Sequence, residues 1–135
     1  MSDGRTEIER PLSPHLQVYR PMLTMMMSMA HRVSGAALAI GFALLAWWLI
    51  AVSTGPESYA TVNGFFGSIP GQILLFLFTW ALIHHMLGGI RHLIWDTLHM
   101  LDKASIEFLA WATIIGSTVL NLALWICGVW LKGSF

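Results

Sequence analysis

The stretch "VSGAALAIGFALLAWWLIAVS", residues 33–53, carries no charged side chain. At 1.5 Å per residue a helix of this length reaches about 30 Å, the thickness of the hydrocarbon core of a bilayer. It reads as the charge-free part of a membrane span running from about Met25 to Val52. Two further stretches are long enough to cross. One runs from about residue 71 to residue 100. Its cleanest part, residues 73–83, is too short to span alone, and it continues through His84, His85, Arg91 and His92 before reaching Asp96. The other runs from about residue 105 to residue 131 and is uncharged after Glu107.

The composition agrees with this reading. Of the 135 residues, 56% are hydrophobic and 10% charged, against about 25% charged in a soluble domain. The length suits one domain, residues 1–135. The fold expected is an all-α membrane protein with three transmembrane helices and a short N-terminal cytoplasmic segment. Net charge is zero, so nothing points to nucleic acid. The single cysteine, Cys127, has no partner for an intrachain disulfide and sits in an apolar run, where packing is its expected role. Residues 1–23 are polar and punctuated by proline, without the apolar core of a signal peptide.

The connectors are short. Residues 54–69, "TGPESYATVNGFFGSI", read as a loop or short interfacial helix. Asp102-Lys103 reads as a tight turn between the second and third spans. "RPLSPHLQVYRP", residues 10–21, holds three prolines and cannot be one continuous helix. Basic residues set the orientation. Arg5, Arg10 and Arg20 precede the first span, and Lys103 follows the second on the same side. The 54–69 connector has none, and only Lys132 lies opposite. The N-terminus is therefore expected in the cytoplasm and the C-terminus outside. His31, Arg32, Arg91, His92 and Asp96 then gather toward the cytoplasmic face.

Two motifs carry chemistry. In "HHMLGGIRHLIWD", residues 84–96, His85 and His92 lie seven apart and share one helix face. Gly89 lies between them, Gly88 borders that face, and Asp96 continues it. A patch without side chains, flanked by two imidazoles, lets a flat, bulky group approach the backbone. A buried histidine is a natural iron ligand, and intramembrane ionisable residues are functional by default. A haem standing on edge fits, with iron at His85 and propionates reaching toward Arg91, His92, His31 and Arg32. His84 points about 100° away from His85 and cannot ligate the same iron from the opposite side. His99 and His15 read as interfacial. One chain does not complete six-coordinate iron, so a second histidine from a partner helix is expected.

In "SMAHRVSG", residues 28–35, Ser28 and Arg32 lie four apart and share a face. A hydroxyl and a guanidinium at the membrane boundary suit a carbonyl oxygen, such as that of a quinone. The plain alternatives are a back-bond for Ser28 and a snorkelling anchor for Arg32.

Taken in order, these stretches resemble the cytochrome b subunit of succinate dehydrogenase, the larger-type membrane anchor of respiratory complex II. Arg10-Pro11 is followed by Ser28, His31, Arg32 and Ser34, and then by His85, Gly89, Arg91, His92 and Asp96. Motif covers residues 9–100 and helix layout the rest. The family usually has a small residue two positions after the aspartate; here it is Leu98, which puts the packing of that helix end in question. The resemblance implies a haem b shared between His85 and a second anchor subunit, with His31 near the propionates. Ser28 and Arg32 match the family's quinone-contacting serine and arginine. Implied partners are that second anchor, a flavoprotein subunit, an iron–sulfur subunit and the lipid bilayer, with ubiquinone as substrate. The implied activity is the ubiquinone-reducing end of a succinate:quinone oxidoreductase in the tricarboxylic acid cycle and respiratory electron transport. The implied location is the bacterial inner membrane, C-terminus periplasmic. No cysteine cluster or nucleotide-binding loop for the flavin or iron–sulfur centres is present. A quinol-oxidising fumarate reductase anchor is the alternative, although its five-helix, di-haem form does not match three spans.

Overall fold

A computed structural model describes Pro11, Ser13 and residues 19–133. Arg5, Arg10 and His15 lie outside the described residues. Four helices follow one another: α1 (Leu23–Thr54), α2 (Pro56–Gly67), α3 (Ile69–Asp96) and α4 (Lys103–Gly133). Among the described residues α1, α3 and α4 are long and apolar enough to cross a membrane, as the charge-free stretches predict. The chain is an all-α integral membrane protein.

Local chemistry sets the boundaries. Pro56 and Glu57 open α2, where the missing proline N–H costs nothing and a carboxylate meets the positive helix end. The connector is thus a helix. Gly55, at φ +138°, makes the break between α1 and α2, a conformation that residues with a Cβ rarely adopt. The second span begins before Pro70-Gly71 rather than after it. Ser68 caps it by accepting from the Gly71 N–H at 3.3 Å, and Pro70 fits the first turn. Asp102 caps α4 by accepting from the Ser105 N–H at 3.0 Å. Hydrogen bonding from Ser105 holds the Asp102 carboxyl below the usual carboxylate range.

The second span ends at Asp96 instead of near residue 100. The Leu98 N–H donates to the Trp95 carbonyl at 2.9 Å and the His99 N–H to the Ile94 carbonyl at 3.4 Å. This pair of bonds is a Schellman closure, which places its C′ residue in the left-handed region. That residue is Leu98, at φ +61°. The departure seen in the sequence therefore falls on a backbone position suited to glycine.

α3 is the central element, packed on α4 and on α1, while α2 covers the end of α1 and the start of α3. The core is small: Met27, Leu38, Ala51, Val62, Ala81 and Ala110 are its buried apolar residues. Small residues allow close approach, as between helices in lipid. A Cβ on Gly41 would overlap the Phe78 ring. Large apolar residues along all three spans stay exposed. Cys127, expected to pack, is free and exposed on α4.

Candidate functional site

The buried face of α3 is polar where a soluble helix would be apolar. His84, Gly88 and Arg91 are buried on it, and the neighbouring stripe carries His85, Gly89 and His92. The second stripe, together with Gly88, meets α1, whereas His84 meets α4.

His85 turns to α1. Its Nδ1 lies 3.1 Å from the His31 carbonyl oxygen and 3.2 Å from Ser34 Oγ. Ser34 Oγ itself donates to the His31 carbonyl at 2.8 Å. A carbonyl only accepts, so Nδ1 carries the proton and Nε2 keeps its lone pair. The His31 ring stacks on His85 with centroids 4.0 Å apart and planes 5° apart. It also lies 5.3 Å from the His92 ring, which meets Trp95 edge-on at 5.3 Å. One residue of α1 therefore spans the two imidazoles of the α3 stripe.

The glycines divide the work. A Cβ on Gly88 would overlap the His31 ring, and one on Gly35 would come within 3.0 Å of the His85 ring. Those two positions let α1 and α3 close around the histidines. Gly89 meets nothing within 4 Å. It leaves open space on the His85–His92 stripe.

Arg91 is 3% exposed. Its Nε has no hydrogen-bond partner, nor has Nε1 of Trp95, nor Nδ1 of His31. The Arg91 guanidinium carbon lies 5.1 Å from the Trp95 ring centroid. Arg91 Nε and Trp95 Nε1 can only donate, and buried donors left unmatched suit an acceptor from outside the chain. Asp96 is exposed at the end of the stripe, and so is His92. Ser28 is half-buried and Arg32 exposed on α1. An apolar cavity of about 340 Å³, lined by Gly41, Trp48, Asn63, Phe66 and Phe78 among others, lies between α1, α2 and α3. It begins about 13 Å further along α1 than Arg32.

The family described as Succinate dehydrogenase/Fumarate reductase transmembrane subunit matches residues 6–131. The chain belongs to this family. The succinate dehydrogenase cytochrome b556 subunit of Paracoccus denitrificans is 42% identical over 111 residues, covering 82% of this chain and 85% of that one. The cytochrome b556 subunit of Rickettsia bellii is 33% identical over 128 residues, 93% of this chain and all of that one. A mitochondrial cytochrome B subunit of succinate dehydrogenase from Schizosaccharomyces pombe is 34% identical over 112 residues, 79% of this chain and 62% of that one. The two sequence motifs lie on α1 and α3, which pack against each other. Among the described residues there is no cluster of three or more His, Cys, Asp and Glu that would hold a bare metal ion.

Sequence reasoning passed over a third polar set. His84 is 2% exposed, and its Nδ1 lies 3.2 Å from Ser117 Oγ on α4. Trp80 stacks on its ring. Thr113, Ser117 and Asn121 are all buried. They recur every fourth residue of α4, a polar stripe visible in the sequence of an otherwise apolar span.

Proposed function

We propose that this chain is the cytochrome b anchor of a succinate:ubiquinone oxidoreductase and that His85 would hold the iron of a haem b shared with a second anchor subunit. One observation carries the reading. His85 is held by Nδ1, its Nε2 is left with a lone pair, and the space over Gly89 beside it is open. Ligating histidines are oriented in this way, by a bond from the other ring nitrogen. The relatives' names, cytochrome b556 and cytochrome B, support the same group. When bound, the haem supplies one-electron storage.

The chain's own residues do the rest. The His31 carbonyl and Ser34 Oγ fix the tautomer and the ring plane of His85. Arg91, His92 and His31 would hold the propionates, which would give the unmatched Arg91 Nε an acceptor; Asp96 supports the helix end beside them. Ser28 and Arg32 take ubiquinone at the membrane boundary. The hydroxyl donates to one carbonyl oxygen, and the guanidinium offsets the negative charge that grows there on reduction. The flavoprotein and iron–sulfur subunits deliver electrons from succinate on the N-terminal, cytoplasmic side of a bacterial inner membrane. The second anchor covers the exposed apolar faces and brings the other iron ligand.

Two variants of the purified complex test this. His85→Leu removes the b-type absorption band; a band that persists unchanged ends the haem assignment. Ser28→Ala slows succinate:quinone reduction while succinate oxidation by an artificial dye continues. Parallel loss of both activities makes Ser28 a structural residue.

A further inference from the structure

We propose that Ser117 of α4 is a positioning residue for His85, acting through its neighbour His84. The proposal rests on His85 being the iron ligand.

His84 and His85 are consecutive on a continuous helix, so their side chains diverge by about 100°. Whatever fixes the direction of one fixes the direction of the other. Each is held by a different helix. His85 Nδ1 meets the His31 carbonyl and Ser34 Oγ of α1 at 3.1 and 3.2 Å. His84 Nδ1 meets Ser117 Oγ of α4 at 3.2 Å. Ser117 is 0% exposed, and its hydroxyl proton already goes to the Ile114 carbonyl at 3.0 Å. Toward His84 its oxygen can then only accept, so His84 Nδ1 carries the proton.

The His84 ring is also clamped on its face. Trp80 stacks on it at 4.9 Å with planes 17° apart. The Trp80 Nε1–H donates to Thr118 Oγ1 of α4 at 3.3 Å. Both the in-plane bond and the stacking ring are thus anchored to α4. The remaining nitrogen, His84 Nε2, is buried without a partner, a cost that an apolar residue at this position would avoid. A leucine would fill the volume but would not define a direction. Rotating α3 by about 10° moves an imidazole held about 6 Å from its axis by about 1 Å, enough to spoil a site that must be held to about 0.5 Å. The α4 clamp on His84 and the α1 bonds on His85 together stop that rotation.

The test uses the whole complex, purified from membranes, in five forms: wild type, Ser117→Ala, His84→Leu, the double variant, and His84→Asn, whose amide nitrogen takes the place of Nδ1. Haem per complex, the midpoint potential and the low-spin resonance spectrum of the haem are measured. The last reports the orientation of the axial imidazoles. Ser117→Ala and His84→Leu are expected to shift the potential and the spectrum alike and to lower haem retention about three- to fivefold, the value of one hydrogen bond. The double variant adds nothing further, and His84→Asn stays near wild type. Wild-type potentials and spectra in Ser117→Ala and His84→Leu, with only thermal stability reduced, overturn the proposal. If Ser117→Ala does not assemble, the contrast between His84→Leu and His84→Asn decides by the same criterion. A His85→Leu control separates the two claims: if it keeps its haem, the ligand assignment itself is wrong.

Discussion

His31 and His85 stack with parallel rings 4.0 Å apart although 54 residues of chain separate them. The same residue of α1 supplies a carbonyl to the edge of the His85 ring and an imidazole to its face. Ser34, one turn further on, adds a second oxygen at Nδ1. Because the His31 carbonyl remains when the hydroxyl is removed, Ser34→Ala should keep the tautomer and the b-type spectrum. It should loosen the ring by the worth of a shared bond, about 0.5–1 kcal/mol, or about two- to fivefold in haem retention. Haem-to-protein ratios during detergent washing measure this. Complete loss of the band would mean that Ser34, not the carbonyl, fixes the ring.

Gly88 and Gly89 make opposite predictions. Gly88→Ala pushes a methyl group into the His31 ring, so either His31 leaves its stack on His85 or α1 and α3 separate, and assembly should fall. A Cβ at Gly89 meets nothing within 4 Å, and Gly89→Leu replaces a poor helix former, for a gain of about 1 kcal/mol of helix propensity. It should assemble as well as wild type and still lose most of its haem, because its side chain fills the cradle between His85 and His92. Quantifying subunits and haem in the same preparation checks both. Normal haem in Gly89→Leu would move the flat group off this face.

Leu98 closes α3 in the left-handed region at φ +61° and is 80% exposed. A side chain there costs roughly 1–2 kcal/mol, and the exposed leucine returns no packing. Leu98→Gly should therefore stabilise the chain by about 1 kcal/mol, seen as a higher unfolding temperature of the complex with unchanged spectrum. A lower unfolding temperature would show that the leucine makes a contact outside this chain.

Much of this arrangement was legible in one dimension. Charge-free length gives the spans, and the sevenfold spacing of His85 and His92 gives a shared face, because both depend only on helix geometry. Which glycine stays open depends on where α1 lies, and the spacing alone treats Gly88 and Gly89 almost alike. The role of His84 was hidden for the same reason. Its partner is 33 residues away on α4, and only the packing of α3 on α4 joins them. The early end of α3 was hinted at by Leu98 but needs the two closing hydrogen bonds to be seen.

Asn121 ties α3 to α4 away from the histidines. It is 0% exposed. Thr79 Oγ1 lies 2.7 Å from its Oδ1, its Nδ2 donates to the Phe76 carbonyl at 3.4 Å, and the Trp125 Nε1–H donates to Thr79 Oγ1 at 2.9 Å. In lipid, apolar burial gives helices little reason to pair, and such polar links average about 0.6 kcal/mol each. Asn121→Leu removes two of them and leaves the Phe76 carbonyl with its helical bond and the Thr79 hydroxyl at 3.0 Å, so α3–α4 pairing should weaken by about 1 kcal/mol. The loss falls on the far side of α3 from His85. The variant should then unfold at a lower temperature while its haem potential stays that of wild type, the reverse of the pattern expected for Ser117→Ala. Thermal unfolding and redox titration of one preparation distinguish the two. A shifted potential in Asn121→Leu would mean that the whole α3–α4 contact, and not His84 alone, sets the direction of His85.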